Sequence, residues 1–140
     1  NLALKKKGII IIKHRSFFSY LGAHRYACIG IPWGHVILTE KEYKRFVKQF
    51  CNNRKDQMID FYYNDLNYPR LTIGDLIEAA TKNNFKIKLI TCEPPHYNEK
   101  STIYTKDIKN FWKIIKRNFP NVSNEEVLSG MYHIVLEKII

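Results

Sequence analysis

The chain has 140 residues, 45% of them hydrophobic and 26% charged, which suits one domain with a substantial core spanning residues 1–140. No apolar run approaches the roughly 18 residues of a membrane span, and no signal peptide is apparent, so we expect no membrane association. The formal net charge is +10. Because the lysines are spread along the whole chain, we favour a general compositional bias over a polyanion-binding surface, and nucleic acid is not the partner we expect.

The cysteines indicate a reduced, cytoplasmic protein. Cys28, Cys51 and Cys92 are scattered and form no CxxC pair, which fits small buried thiols better than disulfides. A metal site would have to gather His14, His24, Cys28 and His35. Their spacings of 10, 4 and 7 residues match no standard zinc pattern, so we expect no metal.

The first predicted element is a strand that contains four consecutive isoleucines, Ile9–Ile12. Isoleucine is stiff at χ1 and favours pleated structure. The unbroken apolar run predicts a strand buried on both faces, which is typical of a parallel strand covered by helices. Ligands of open α/β sheets lie beyond the carboxyl ends of such strands. His14 and Arg15, which leave this strand, therefore mark a candidate site.

Residues 16–38 form a segment rich in aromatic residues, glycine and histidine. The segment is too long and too irregular for a tight turn, and long ordered loops in compact domains are commonly functional. We interpret it as a lid that closes over the candidate site. The alternative is a surface segment held only by aromatic packing.

A capping box, Thr39 with Glu42, predicts the start of an amphipathic helix. The apolar face of this helix recurs at helical spacing and comprises Tyr43, Phe46, Val47 and Phe50. Residues 56–70 show no comparable pattern. They are predicted to be a loop with about one helical turn.

Thr72 is predicted to cap a second helix that Asn83 ends. In the segment Phe85–Cys92, apolar residues alternate with lysines, which predicts a strand with one half-exposed face. Pro94 and Pro95 stop it.

The last third of the chain repeats the pattern of helix followed by strand. Thr105 is predicted to cap a third helix, and Ser123 with Glu126 forms a second capping box that opens a short helix. Met131–Lys138 is the final predicted strand. Strands that alternate with helices predict a layered α/β fold.

Three segments, taken in order, resemble the carboxyl-terminal half of class I S-adenosylmethionine-dependent methyltransferases. Residues 4–12 (LKKKGIIII) are similar to the family's L-K-P-G-G turn and fifth strand, although Lys6 and Lys7 replace the usual Pro-Gly. Residues 71–87 are similar to the next helix and sixth strand. Residues 120–138 are similar to the closing helix and seventh strand. No single motif is specific, but the ordered set covers nearly the whole chain.

The resemblance implies a partial Rossmann-like sheet of the last three strands with flanking helices. In that sheet the final strand is antiparallel and lies between the other two. The implied cofactor is S-adenosylmethionine, but the family's glycine-rich loop and acidic ribose contact have no counterpart here, so no cofactor-binding residue is assigned. The resemblance therefore implies either a missing N-terminal half on a longer product or assembly as a homo-oligomer, and an inactive isolated fragment.

The expected activity is methyl transfer to a small-molecule acceptor, with His14 as the general base because a histidine pKa lies near neutrality. The predicted substrate-binding residues share the loop after the first strand and are Arg15, Tyr20, His24, Arg25, Trp33 and His35. Trp33 is equally compatible with a core position. The alternative function is a small basic nucleic-acid-binding or interaction domain without catalysis.

Overall fold

The computed structural model describes residues 6–66, 70–94 and 108–139. Within these ranges the chain combines a three-stranded antiparallel sheet with helices, so the predicted α/β class is confirmed at this level. The helices are α1 (His24–Ala27), α2 (Gly34–Ile37), α3 (Glu40–Phe50), α4 (Lys55–Asp60), α5 (Ile73–Lys82), α6 (Phe111–Asn118) and α7 (Asn124–Val127). The predicted cap of the third helix, Thr105, lies outside the described residues.

The capping signals at Thr39 and Thr72 are confirmed. Each threonine hydroxyl accepts a hydrogen bond from the backbone N–H three residues later, and the acidic side chain there accepts one from the threonine backbone. These reciprocal bonds satisfy donors that a helix start otherwise leaves without partners. They fix the starts of α3 and α5 through residues that are close in the sequence.

The sheet consists of β1 (Ile9–Arg15), β2 (Phe85–Cys92) and β3 (Met131–Lys138) in the order β1-β3-β2. The central strand β3 is antiparallel to both neighbours, so β1 and β2 run in the same direction. The predictions that the final strand is antiparallel and lies between the other two are confirmed.

The prediction that Ile9–Ile12 forms a parallel strand buried on both faces is wrong. Its partner β3 is antiparallel, and Ile9 and Ile11 are 51% and 72% exposed. The reason is that α5 packs on the face of Ile10 and Ile12, while the other face is exposed at Ile9 and Ile11. On that open face Ile11 and Leu89 both lie opposite Val135, in a row across the three strands.

Two further expectations about helices need correction. Phe50, placed on the buried face of α3, is 62% exposed because the chain turns away directly after it. The described part of the predicted loop 56–70 is almost entirely helical: α4 runs into a π-helical turn, Phe61–Asp65. Its buried residues recur every fourth position, as in any helix packed against a core, and are Met58, Tyr62 and Leu66.

The second predicted capping box is only half formed. The Ser123 hydroxyl accepts from the Glu126 backbone N–H, as expected. The Glu126 carboxylate does not reach back to Ser123, because it accepts from the Ser16 hydroxyl at 2.6 Å and from the Ile73 N–H at 3.1 and 3.2 Å. Glu126 therefore joins α7, the first turn of α5 and the end of β1.

The main core is aromatic, and the segment 16–38 supplies much of it. Phe17, Phe18 and Trp33 are each only 1% exposed. Buried aromatic side chains contribute large apolar areas to a core. A segment anchored by three such rings cannot open without exposing the core, so its interpretation as a lid is wrong and it is a fixed wall.

Candidate functional site

A cavity of about 600 Å³ lies at the carboxyl end of β1. Five of the seven predicted site residues line it, namely Arg15, Tyr20, His24, Arg25 and His35. Its apolar wall consists of Leu21, Ala23, Ile29, Ile31 and Pro32. The volume lies within the usual range for small-molecule sites, and the mixture of apolar wall and few polar groups is typical of them.

The alternation of β1 decides which of its last two side chains reaches the cavity. Ile10 and Ile12 pack toward α5, and His14 shares their face of the strand. Arg15 lies on the opposite face and lines the cavity. His14 is therefore not among the residues that line the cavity. Burial on its own face of the sheet lowers the pKa of His14 below its ordinary value.

Trp33 is the second predicted site residue that does not line the cavity. It is buried in the core, and its indole N–H donates to the Val127 carbonyl oxygen at 3.1 Å. The Tyr20 ring packs edge-on against it, with centroids 5.0 Å apart. Trp33 thus supports a cavity residue from behind.

The cavity carries positive charge without a matching carboxylate. Arg15, Arg25 and Arg54 line it, and no aspartate or glutamate does. None of these arginines forms an ion pair with a carboxylate of the described residues. The Nε of Arg15 is buried and has no hydrogen-bond partner there. The three arginines of the lining thus offer positive charge to an electron-rich group.

Side-chain bonds hold the rim of the cavity in place. An Nη of Arg54 donates to the Arg25 carbonyl oxygen at 3.3 Å and ties the 3₁₀ turn Asn52–Arg54 to α1. Arg25 in turn donates to the Tyr26 hydroxyl at 2.8 Å. Sequence reasoning did not find Arg54, because its approach to α1 is set by tertiary packing and not by a local motif.

His35 is a neutral part of the wall. It is 3% exposed, and its Nε2 lies 2.8 Å from the Phe17 carbonyl oxygen. A carbonyl only accepts, so Nε2 carries the hydrogen. Burial lowers the pKa of His35 to about 4, which keeps the ring uncharged at neutral pH. His35 shapes the cavity but adds no charge to it.

In the described ranges, residues 6–66, 70–94 and 108–139, no three histidine, cysteine or acidic side chains converge to hold a metal ion. No helix in those ranges is long and apolar enough to cross a bilayer.

The cofactor implied by the resemblance does not fit the cavity. The sulfonium of S-adenosylmethionine is positively charged, and a ribose diol is usually held by a carboxylate. The lining holds three arginines and no acidic residue. The lining also lacks a glycine-rich stretch whose backbone could approach the cofactor closely. Gly30 is its one glycine, and the adjacent residues, Ile29 and Ile31, are bulky. The residues of this cavity suit an acceptor and not the cofactor.

Chemically, the cavity combines guanidinium donors, one exposed histidine and an apolar wall beside the end of a strand. It can bind and orient a small molecule, and His24 can exchange a proton with it. No family model, curated protein or solved structure matches the chain.

Proposed function

We propose that this chain is the acceptor-binding, carboxyl-terminal part of a class I S-adenosylmethionine-dependent methyltransferase that acts on a small molecule. The observation that carries the proposal is the sheet: β3 runs antiparallel between β1 and β2, which share one direction. That order is the one the sequence resemblance implies. The cavity at the carboxyl end of β1 lies where ligands of α/β sheets bind.

The open face of the sheet supports the finer, Rossmann-like interpretation. Ile9, Ile11 and Leu89 are at least half exposed there. In a doubly covered sheet a second layer of helices buries such side chains, and a further strand pairs with the free edge of β1. On this proposal that layer and most cofactor contacts come from residues outside the chain, and the protein works in the cytoplasm.

Within the proposed enzyme the chain binds and orients the acceptor. Arg15 and Arg25 hold it, the apolar wall excludes water, and His24 takes the proton from the acceptor nucleophile. His24 replaces His14 in that role because it lines the cavity and is exposed. Good alignment alone can supply a large share of the rate enhancement in such transfers.

The test is transfer of a labelled methyl group from S-adenosylmethionine to a small-molecule extract by the protein in its natural form. We expect label in a small-molecule product. His24→Ala should lower kcat, Arg25→Ala should mainly raise the acceptor KM, and Arg45→Ala, on the exposed side of α3, should match the parent. Absence of both methyl transfer and cofactor binding would reject the proposal.

The rival function, nucleic-acid binding, is not favoured by the aromatic residues. Many of the rings that could stack on bases, among them Phe17, Phe18 and Tyr62, are buried. Any binding should therefore be diffuse and should collapse as salt releases counterions. A sequence-selective complex that survives at about 200 mM salt would promote the rival instead.

A further inference from the structure

The cavity lining contains basic side chains and no acidic ones, which indicates the charge of its ligand. Three guanidinium groups, from Arg15, Arg25 and Arg54, line one space together with an apolar wall. No acidic side chain lines it, and no described carboxylate pairs with any of the three. Elsewhere in the described residues Arg70 has its charge paired: its side chain is 6% exposed and bonds Glu40 and Tyr62, although its Nε, like that of Arg15, has no hydrogen-bond partner there.

The contrast between Arg70 and Arg15 is informative. The Arg70 guanidinium also lies 4.2 Å from the centroids of the Phe17 and Tyr62 rings, so its charge is compensated from several sides. Arg15 has no such ring contact and no ion pair among the described residues, and it lines the cavity. Its positive charge is therefore left for an anion that enters the cavity.

The two other arginines are positioned by their own bonds. Arg54 donates to the Arg25 backbone, and Arg25 donates to Tyr26, so both side chains are held at the rim. Each retains N–H groups that these single bonds do not use, because a guanidinium has five. Like charges held together disfavour one another, and an anion between them relieves the repulsion.

We propose that the cavity binds a small anionic molecule with an apolar body, its carboxylate or phosphate held by Arg15 with Arg25 and Arg54 at the rim. Guanidinium groups match both oxyanions in bidentate geometry. The apolar body lies against the wall formed by residues such as Leu21, Ile29 and Pro32. This inference rests on the proposed function only in naming the ligand as the methyl acceptor, because anion binding itself does not depend on methyl transfer.

The test is calorimetric titration of the protein with three probes of the same ring size: phenyl phosphate, benzoate and benzyl alcohol. We expect saturable 1:1 binding of at least one anion, weakening as salt is added, and far weaker binding of the neutral alcohol. Preference for phenyl phosphate or for benzoate distinguishes a phosphate from a carboxylate ligand. Equal binding of the alcohol and both anions would overturn the proposal.

Variants localise the binding. Arg15→Gln should raise the Kd of the preferred anion by about 10- to 100-fold, the loss expected for a charge-assisted hydrogen bond. Arg45→Gln, which removes the same charge outside the cavity, should leave the Kd within about twofold of the parent. If circular dichroism shows Arg15→Gln unfolded, the double variant Arg25→Gln/Arg54→Gln at the exposed rim decides in its place. Unchanged anion binding in the folded variant overturns the proposal.

These measurements need no methyl donor, so the two proposals fail separately. Anion binding that depends on Arg15, in a protein that transfers no methyl group, keeps the anion site and rejects the methyltransferase. Methyl transfer to an uncharged acceptor, with no anion binding, keeps the enzyme and rejects the anion site.

Discussion

Replacement of Glu126 by alanine should destabilise the protein strongly. The carboxylate is 2% exposed and accepts from the Ser16 hydroxyl and from the Ile73 N–H. Alanine leaves both donors without a partner. The Ser16 hydroxyl is fully buried and cannot turn to water, and the Ile73 N–H belongs to the first turn of α5, where an acidic group is also favoured by the helix dipole.

The magnitude follows from these contacts. Each orphaned donor costs about 1–3 kcal/mol, and the deleted side-chain atoms add roughly 1 kcal/mol for the space they leave. Removal of the buried carboxylate also removes its desolvation cost, which offsets part of this loss. Burial is the main reason that the Glu126 pKa is raised, against the Ser16 and Ile73 bonds that lower it. We expect a net loss of about 2–4 kcal/mol, out of the roughly 5–15 kcal/mol typical of a domain.

The assay is urea unfolding of the protein followed by circular dichroism. Glu125→Ala is the matched control, because Glu125 is adjacent and exposed and should change the free energy of unfolding by less than about 0.5 kcal/mol. Glu126→Gln keeps the shape but presents an amide N–H₂ toward a donor, so it should fall between the two. If Glu126→Ala and Glu125→Ala were equally stable, the carboxylate would not be what joins the three elements.

Two other predictions concern His35 and Gly22. Burial lowers the pKa of His35 to about 4 in the folded protein. Its contribution to stability is therefore complete above the ordinary histidine pKa of 6.5. That contribution falls as the pH drops toward 4, because the unfolded chain then binds a proton that the folded chain does not. The loss is at most about 3 kcal/mol. A plot of the free energy of unfolding against pH should be flatter for His35→Gln than for the parent, and should keep the parent slope for the exposed-site control His24→Gln. Equal slopes in all three proteins would contradict the pKa assigned to His35. Gly22→Ala should cost at least about 1–3 kcal/mol, because a Cβ there would lie 2.0 Å from the Phe17 carbonyl oxygen, a backbone atom that cannot rotate away. Gly74→Ala in α5 meets nothing closer than 3.4 Å and should be neutral or up to about 1 kcal/mol stabilising; thermal melts in which the two alanine variants coincide would show that the close packing at Gly22 is not real.

The parts of the fold that the sequence predicted are those set by neighbouring residues. The Thr39 capping box and the Thr72 cap act over three residues, and both predicted caps formed. The Ser123–Glu126 signal is identical in type, yet Glu126 bonds Ser16, 110 residues away. A local pattern cannot reveal that a distant hydroxyl competes for the same carboxylate.

The candidate site shows the same division. Five of the seven predicted site residues, from the end of β1 and the segment after it, line one cavity. The choice between His14 and Arg15 depends on which face of β1 a helix covers, and a run of four isoleucines carries no alternation to show it. Arg54 joins the site through a bond to the α1 backbone, for which the sequence holds no signal.

The pairing of β1 with β3 has a consequence for synthesis of the chain. Ile9 finds its partner at Glu137, so a ribosome adding about 5–20 residues per second leaves the isoleucine run without its strand partner for on the order of 10 s. During that time an apolar, β-prone segment is open to pairing with other nascent chains. Charged residues flanking such segments suppress that association, and Lys6, Lys7 and Lys13 flank this one and stay exposed in the finished fold. Part of the positive charge thus protects the emerging chain and requires no anionic partner.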